Sequence, residues 1–317
     1  MIRFLAQRLA RTVFTLLGIS VLAFILIDLA PGEYFQDMRL NPQISRETVA
    51  ALRVEYGLDQ ALPLKYARWL RSVSRGELGY SFAYNRPVWP LLKTRIANSL
   101  ILTVTALVCA WLIAIPLGVW MASRAGRWED RVSGLGSTFL LATPDVLIAL
   151  GLLAFALRLS WLPTGGMHAP AADGKLKDLA LHLILPVLAL IAGTLPILVR
   201  HVRSAMLDVL HAPCIAAARG HGVPRRRLLF GHALPAAANP LISLFGLSVG
   251  MLLSGSLLTE VVMGWPGVGP LLLQAILERD PHIVVATVLF STLFLMSGSL
   301  LADVFLYVAD PRIRVES

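Results

Sequence analysis

Four acidic side chains stand inside or at the edges of long apolar segments of this sequence: Asp28, Asp145, Glu260 and Asp303. An ionisable group is costly in hydrocarbon unless it faces a wet cavity or a partner, so such groups can line a path or relay protons. Asp28, Glu260 and Asp303 lie near segment ends, where the side chain can instead reach the interface or cap a turn. Asp145 follows Pro144, where a broken helix exposes backbone groups. It is therefore the best single candidate for a residue of a transport path.

The other patterns that could do chemistry point away from an enzyme. Residues 246–250 read G-x-S-x-G, but a nucleophile elbow needs a strand before the serine, and Ser248 lies in the middle of an apolar run. His182 is the only histidine in a predicted span that could face it, so proteolysis is not expected. Neither H-E-x-x-H nor paired-cysteine spacing occurs, so no metal site is predicted, and no disulfide is expected between Cys109 and Cys214. No G-x-x-x-x-G-K-[ST] loop is present, so ATP must bind to another protein.

The whole chain is far more apolar than a soluble domain. Hydrophobic residues make up 56% of it, charged residues make up 15%, and the mean hydropathy is +0.71, whereas soluble chains carry about 25% charged residues. A helix needs about 20 apolar residues to cross a hydrocarbon layer. Six segments are long enough: 12–30, 98–123, 136–158, 179–199, 240–263 and 283–308. We predict an all-α membrane protein with six transmembrane helices.

The first apolar segment has two interpretations. Arg3, Arg8 and Arg11 before an apolar run also describe a secretory signal peptide. However, residues 12–30 form a longer run than the roughly 7–15 residues of a signal's apolar core, and Pro31-Gly32 follows where a small-residue cleavage site would be needed. We therefore expect an uncleaved first helix.

The distribution of Lys and Arg predicts that both termini are cytoplasmic. With the N-terminus inside, the inside segments hold 14 Lys and Arg residues and the short outside loops hold 4. Positive charge near helix ends resists translocation, although a loop longer than about 60 residues, such as 31–97, does not count in this rule. The net charge of +9 is then explained by cytoplasmic arginines, and no nucleic-acid partner is expected.

The long loop after the first span divides the chain into residues 1–97, the first helix with an external loop, and residues 98–317, a five-helix core. Within the loop, Ser45 can cap a short helix that Gly57 stops, and Pro63 can open a second one. Aromatic residues on such helices suit a contact platform, although a folded loop without a partner fits equally well. The external docking candidates are Tyr66, Trp69 and Tyr80.

The segment from about 200 to 239 carries the strongest functional signal. Residues 212–222 are small or flexible, and Pro224 then opens a basic run of Arg225, Arg226 and Arg227. A short helix of small residues leaves room for a partner's surface to close over it, and Gly220 and Gly222 allow the chain to reverse directly afterwards. This pattern predicts a cytoplasmic docking loop that receives a mechanical push.

At this loop the chain resembles the permease subunits of ATP-binding-cassette (ABC) importers for dipeptides, oligopeptides and nickel. Their EAA loop has the pattern E-A-A-x3-G-x9-I-x-L-P and contains the coupling helix. The matching positions here are Ala216, Ala217, Ala218, Gly222, Leu234 and Pro235. Ala216 stands where the pattern has Glu and His232 where it has Ile, so a salt bridge from that Glu is not expected here.

Further matches to the peptide and nickel branch occur in order along the chain: 24–32 (FILIDLAPG), 56–59 (YGLD), Tyr66, Trp69-Leu70, 76–81 (GELGYS), Glu260, 265–269 (WPGVG), Arg279-Asp280, Asp303 and 310–314 (DPRIR). Together they cover nearly the whole chain. With Trp265 added from this set, the candidates for the path or its gate are Asp145, Glu260, Trp265 and Asp303.

The resemblance implies a type I ABC importer permease of the bacterial inner membrane that moves dipeptides or oligopeptides. Its partners would be membrane lipid, a second permease subunit, two ATP-binding subunits that hold ATP and Mg²⁺, and a soluble substrate-binding protein. The second permease is expected to be a different protein rather than a copy. The chain itself would hold no cofactor and catalyse no reaction.

Three alternatives stay open at this point. The first is a permease for nickel or another small solute, and the second is a proton-coupled secondary transporter that uses the intramembrane carboxylates. The third is a membrane anchor that conducts nothing. The energy source separates the second from an ABC permease, because uptake by a secondary transporter survives deletion of the ATPases and collapses with an uncoupler.

Overall fold

The computed structural model describes residues 2–29, 60–81, 83–160, 162–169 and 176–309. The predicted helix between Ser45 and Gly57 lies outside these ranges. In the described part, five helices are long and apolar enough to cross a membrane, and two shorter apolar helices joined by a sharp bend stand where the third of the six predicted spans was expected. The all-α membrane fold predicted from the sequence is confirmed.

The elements follow one another in this order: α1 (Ile2–Leu29), α2 (Leu62–Ser74), β1 (Tyr80–Ser81), β2 (Arg86–Pro87), α3 (Val88–Ser123), α4 (Trp128–Ala142), α5 (Asp145–Leu159), α6 (Leu176–Leu210), α7 (Pro213–Gly220), α8 (Arg225–Arg227), the π-helix π1 (Leu228–Ala233), α9 (Leu234–Ala236), α10 (Ala238–Val262), α11 (Val268–Leu277) and α12 (Pro281–Ala309). The strands β1 and β2 form a two-residue antiparallel pair in which Tyr80 lies opposite Pro87.

Two helix boundaries differ from the sequence-based expectation. The predicted third span, 136–158, is divided into α4 and α5, whose axes are bent by 100°. Pro144 has no N–H to continue α4, and it holds the preceding Thr143 in an extended conformation (φ −93°, ψ 123°). The helix of the second span begins at Val88. The sequence predicted residue 98 because Lys93 and Arg95 lower the hydropathy of the turns before it. The division expected at residues 97 and 98 therefore falls inside α3.

The helices α3, α6 and α10 form the centre of the bundle. In α6, 61% of the most apolar window is buried inside the protein, whereas in α1 the share is 11%, so α1 lies at the periphery and most of its apolar surface is left for lipid. The largest core cluster is built around fully buried side chains such as Leu102, Leu198 and Leu252. The core thus sits where the three central helices meet.

Small residues bring these helices into close contact. A Cβ added at Gly118 of α3 would lie 2.6 Å from Cβ of Val202 in α6. The glycines of the G-x-S-x-G run, Gly246 and Gly250, pack against α12, while Ser254 one turn further is exposed. Lipid supplies no hydrophobic driving force between helices, so close backbone approach is a main source of their attraction. The serine of that run, Ser248, is buried and accepts a hydrogen bond of 3.0 Å from the indole N–H of Trp111, which is a packing role.

Candidate functional site

The chain between α6 and α10, residues 211–237, forms one exposed and irregular connecting segment. It opens with α7, whose side chain Ile215 is 2% exposed and anchors the helix to the core, while Ala216 and Ala217 face outward. After α7, Gly222 adopts φ +75° and donates its N–H to the carbonyl of Arg219 at 3.0 Å. That left-handed conformation favours glycine and reverses the chain. The predicted docking residues Ala216 and Ala217 therefore lie on the exposed face of a helix that Ile215 anchors to the core.

The second half of the connecting segment is attached to the bundle at defined points. The guanidinium of Arg225 donates a 2.6 Å hydrogen bond from Nη2 to the carbonyl oxygen of Ser123, the last residue of α3. Leu228 and Ala233, at the two ends of π1, are buried in the main core cluster. Arg226, Arg227 and Pro235 are exposed, and Ala218 and Leu234 pack partly against the core. The connecting segment is therefore attached both to the end of α3 and to the main core cluster.

The same end of the bundle carries a bidentate ion pair between α6 and α4. Arg203 donates from Nε and Nη2 to the two carboxylate oxygens of Asp130 at 2.6 and 2.7 Å. Asp130 is 8% exposed, and one of its oxygens also accepts the backbone N–H of Gly126 at 3.0 Å. Parallel guanidinium–carboxylate bonds fix geometry as well as charge. The ion pair therefore fixes the start of α4 to α6, the helix that leads into the connecting segment.

A cavity of about 240 Å³ lies at the break between α4 and α5. Its walls come from both of these helices, from α6 and from α10, and they include Thr143, Asp145, Gly193, Thr194, Gly255 and Thr259. Asp145 is the one ionisable residue among the described residues that line it. The carboxylate rests over Gly193, where an added Cβ would lie 2.5 Å from Oδ1. Asp145, the path candidate from the sequence, thus lines a cavity.

Two further candidates for the path or gate, Trp265 and Glu260, are packed inside the bundle in or near the sequence motif WPGVG. Trp265 is fully buried and its indole N–H donates to the carbonyl of Asn98 at 3.0 Å. Glu260 is also fully buried, and its Oε2 accepts the N–H of Gly269 at 2.7 Å. Ser99 Oγ accepts the N–H of Val268 at 2.8 Å. These contacts tie the start of α11 to α10 and to the beginning of α3, the end opposite the connecting segment.

Sequence reasoning missed Asn98 and Ser99, which hold this turn from the α3 side. The side-chain amide of Asn98 donates to the carbonyl of Pro266 at 2.8 Å, and its backbone carbonyl accepts the indole N–H of Trp265. Asn98 is therefore both donor and acceptor to the turn. The available signal was two consecutive polar residues at the start of an otherwise apolar segment. It was too weak to assign a partner, because Asn98 and Pro266 are far apart in the chain.

A second buried carboxylate organises the short strand pair near the same end. Asp280 accepts hydrogen bonds from the hydroxyl of Ser81 at 2.6 Å and from the N–H groups of Ala83 and Ile283 at 3.3 Å. Beside it, burial raises the pKa of the Tyr84 phenol above its ordinary value of 10.0, with the Glu278 carboxylate acting in the same direction. The phenol stays protonated and donates to the side-chain oxygen of Gln274. Hydrogen bonds to Asp280 therefore tie the hairpin that carries Tyr80 to the start of α12.

The candidates for external docking occupy two environments. Tyr66 and Trp69 of α2 pack against Phe24 of α1, Tyr66 edge-to-face and Trp69 tilted, with ring centroids 5.4 and 5.1 Å away. Trp69 is 6% exposed, so much of this pair is used to hold α2 against α1. Tyr80 is 37% exposed and donates its hydroxyl proton to Asn85 at 2.7 Å. Of the three, Tyr80 is the most accessible.

The two remaining acidic residues of the sequence analysis form ion pairs. Asp303 of α12 accepts a 2.7 Å hydrogen bond from Arg8 of α1, and Asp28 of α1 lies 3.2 Å from the ammonium of Lys65 in α2. Both contacts hold α1 and its attached helix at the edge of the bundle. Asp303 therefore has a packing role beside its predicted role in the path.

Two family models match the chain over nearly all of its length. Residues 114–315 match "Binding-protein-dependent transport system inner membrane component", and residues 1–103 match the corresponding N-terminal model, "Binding-prot-dependent transport system membrane comp, N-term". The match over residues 114–315 includes both the cavity and the connecting segment.

Several relatives are similar from end to end. The chain is 34% identical over 325 residues to the oligopeptide transport system permease protein OppB of Mycobacterium bovis, covering 99% of this chain and 100% of that protein. It is 33% identical over 316 residues to the oligopeptide transport system permease protein AppB of Bacillus subtilis, with the same coverage. It is 32% identical over 317 residues to the glutathione transport system permease protein GsiC of Salmonella paratyphi A, covering 99% of each.

Among solved structures, the MetNI methionine ABC transporter in an inward-facing conformation is similar in fold. Its TM-score is 0.58 at 16% identity, and the match covers 69% of this chain and 96% of that chain. At this identity the similarity shows the fold alone, which is that of a type I ABC importer permease.

The apolar helices and the family matches together define a multi-pass protein of the bacterial inner membrane. The chain belongs to the family of binding-protein-dependent transport system inner membrane components. Members of this family are membrane permease subunits of ABC transporters and are not catalytic subunits.

Proposed function

We propose that this chain is one of two permease subunits in an importer that carries dipeptides or oligopeptides, and that ATP-hydrolysing partner subunits dock on its connecting segment. The observation that carries this proposal is the structure of that segment. Its short helix α7 is exposed, while its other half is bonded to the end of α3 through Arg225 and Ser123. An exposed surface with a rigid attachment is what a partner needs in order to push on the bundle.

The orientation of the chain follows from its charges. The positive-inside rule places both termini and the connecting segment in the cytoplasm, where ATP is available. ATP and Mg²⁺ bind in the partner subunits, whose closure moves residues 212–224. The helices then rock between an outward-open and an inward-open state around the cavity, which is alternating access by rigid-body movement.

The cargo is inferred from the relatives. Proteins similar along their whole length are named as permeases for oligopeptides and for glutathione, which is itself a peptide. A soluble binding protein on the outside delivers the peptide, and the exposed Tyr80 of the hairpin is the candidate for that contact. Asp145 in the cavity is the candidate for contact with the cargo during passage.

A second permease subunit completes the path. The cavity is open at its surface in this single chain, and the bent pair around it exposes large apolar side chains such as Leu135, Phe139 and Phe155. Six helices rarely enclose a path by themselves, so a subunit of similar fold is expected to cover this side. A different protein is expected there, which makes the permease pair a heterodimer.

The experiment that tests the coupling role compares two glycines that differ in one property. An added side chain at Gly220 or at Gly222 meets nothing within 4 Å, but only Gly222 has a positive φ, of +75°. Gly222→Pro imposes a φ of about −65° and removes the N–H bonded to Arg219. In proteoliposomes that contain both permeases, the ATPases and the binding protein, Gly222→Pro should reduce peptide uptake at least tenfold while ATP hydrolysis continues.

The matched variant Gly220→Ala should import peptide like the unaltered transporter. Normal uptake by Gly222→Pro would contradict the docking role of the connecting segment. Uptake that continues without the ATPases and stops with an uncoupler would contradict ATP-driven import altogether.

A further inference from the structure

We infer that the cavity at the α4–α5 break is a binding site for the ammonium group at the N-terminus of a peptide, with Asp145 as its counter-charge. The ligand class rests on the proposed peptide cargo. The inference goes beyond a general path, because it assigns one chemical group of the cargo to one carboxylate of the chain.

The first support is the charge of the cavity. Its lining combines apolar side chains with threonines and glycines, and Asp145 alone among the described lining residues can carry a charge. The carboxylate has no hydrogen-bond or ion-pair partner among the residues that the structure describes. The side chain of Asp145 is exposed at the cavity, so a cationic ligand can reach it and supply the missing counter-charge.

The second support is the polarity of the broken helix. The carboxylate stands in the first turn of α5, where the positive end of the helix dipole stabilises the ionised form. The negative end of α4 borders the same cavity. Thr143 bonds the carbonyls of Phe139 and Leu140, but the carbonyl of Leu141 has no further turn of α4 to accept from. Broken helices in transporters use such carbonyl ends to coordinate cations.

The third support is the glycine on the facing helix. The backbone of Gly193 comes so close to the carboxylate that an added Cβ would lie 2.5 Å from Oδ1 of Asp145. Three residues later, Pro196 cannot donate to the carbonyl of Ala192, so α6 also lacks one internal hydrogen bond next to this point. At Gly193 the sequence of α6 thus leaves room for the carboxylate of Asp145.

Size and donor set favour an ammonium group over other cations. A volume of about 240 Å³ is below the roughly 300–1,000 Å³ of sites that enclose a whole small molecule, so the cavity fits the end of a peptide. No group of three or more His, Cys, Asp or Glu residues that could hold a metal ion occurs in the described ranges. Every peptide with a free N-terminus carries an ammonium group, so the site accepts peptides of any sequence.

The test measures binding to the assembled transporter in lipid nanodiscs without the binding protein. The probes are alanyl-alanine and N-acetyl-alanyl-alanine, and saturation-transfer NMR gives their dissociation constants. The unaltered transporter should bind the free amine more tightly than the acetylated peptide. Asp145→Asn should weaken binding of the free amine about tenfold or more, because a charged hydrogen bond is lost, and should leave the acetylated peptide unchanged.

Two further variants and one control sharpen this result. Asp145→Glu keeps the charge and should keep part of the preference for the free amine. Gly193→Ala displaces the carboxylate without removing it and should weaken binding of the free amine. Asp208→Asn makes the same chemical change on an exposed residue of α6 outside the cavity and should have no effect.

Equal affinity of the unaltered transporter and Asp145→Asn for the free amine would overturn the inference, and so would an equal loss for both probes or no binding of the free amine at all. An ion pair between Asp145 and a cation of the second permease would overturn it as well. ATP-driven peptide uptake is measured on the same preparation. If peptide is taken up but its binding does not depend on Asp145, this inference is wrong and the proposed function stands. If binding depends on Asp145 but no peptide is taken up, the site is supported and peptide import is contradicted.

Discussion

The two connections that flank α10 are built in opposite ways. On one side, the connecting segment of residues 211–237 exposes Ala216, Ala217 and its arginines and is bonded to α3 through Arg225. On the other side, the turn before α11 buries Trp265 completely and donates hydrogen bonds to α3 and to the carboxylate of Glu260. The helix α10 thus connects an exposed segment at one end with a buried turn at the other.

This difference indicates which of the two connections can move together with a partner subunit. A turn held by buried hydrogen bonds to its neighbours in the bundle is costly to open, because opening it leaves buried N–H donors unpaired. An exposed segment with few attachments can move with a partner at little cost. We therefore expect substitutions at the turn to lower stability, and substitutions in the connecting segment to lower coupling while the fold remains intact.

The largest effect is expected for Gly269→Ala at the start of α11. Its added Cβ would overlap the backbone carbonyl of Leu257 in α10, and a backbone atom cannot move aside as a side chain can. Overpacking of this kind should destabilise the protein by about 3 kcal/mol. The melting temperature of the purified transporter in detergent, followed by tryptophan fluorescence, measures the loss. Gly220→Ala in the connecting segment is the matched control and should melt normally, and equal melting of the two variants would remove the contrast between the regions.

A smaller loss is expected when the carboxylate of Glu260 is removed. In Glu260→Ala the buried N–H of Gly269 loses its acceptor, which costs about 1–3 kcal/mol. In Glu260→Gln the side-chain oxygen can still accept that N–H, so most of the stability should remain. Melting temperatures of the two variants check this. A loss with Gln as large as that with Ala would show that the negative charge, rather than the hydrogen bond, holds the turn.

The smallest effect on stability is expected for Arg225→Ala. This exposed side chain has one hydrogen bond, to Ser123, and surface substitutions usually change stability by no more than about 0.5 kcal/mol. Uptake of peptide per ATP hydrolysed should nevertheless fall several-fold, because the segment is no longer tied to α3. Arg225→Lys retains a donor and should restore part of the coupling. If Arg225→Ala instead lowers the melting temperature as much as Glu260→Ala does, the connecting segment is a structural element like the turn.

Much of the fold could be predicted because its determinants are local. Runs of apolar residues identified the spans, and Pro144 marked the place where the third span breaks. The beginning of α3 was missed because Lys93 and Arg95 interrupt the apolar pattern at a helix end that lies outside the main hydrophobic run. Hydropathy reports burial in lipid and does not report how far a helix continues beyond it.

The candidate residues show where local reasoning stops. Asp145, Glu260 and Asp303 are all carboxylates in or beside predicted apolar segments, yet Asp145 lines a cavity, Glu260 accepts a backbone N–H and Asp303 pairs with Arg8. Their environments depend on the rotation of each helix and on which neighbour it meets. Neither quantity is encoded within the few residues around a carboxylate.

The sequence by itself determined the class of the protein, the number of apolar segments, the break before Asp145 and the small, flexible character of the connecting segment, because hydropathy, proline and glycine act through adjacent residues. Only the tertiary structure decided that Gly193 makes room for Asp145, that Asn98 and Ser99 hold the turn at Trp265, and that Arg225 reaches the end of α3. These partners are brought together by the packing of α3, α6 and α10, and packing depends on contacts between residues that are remote in the chain.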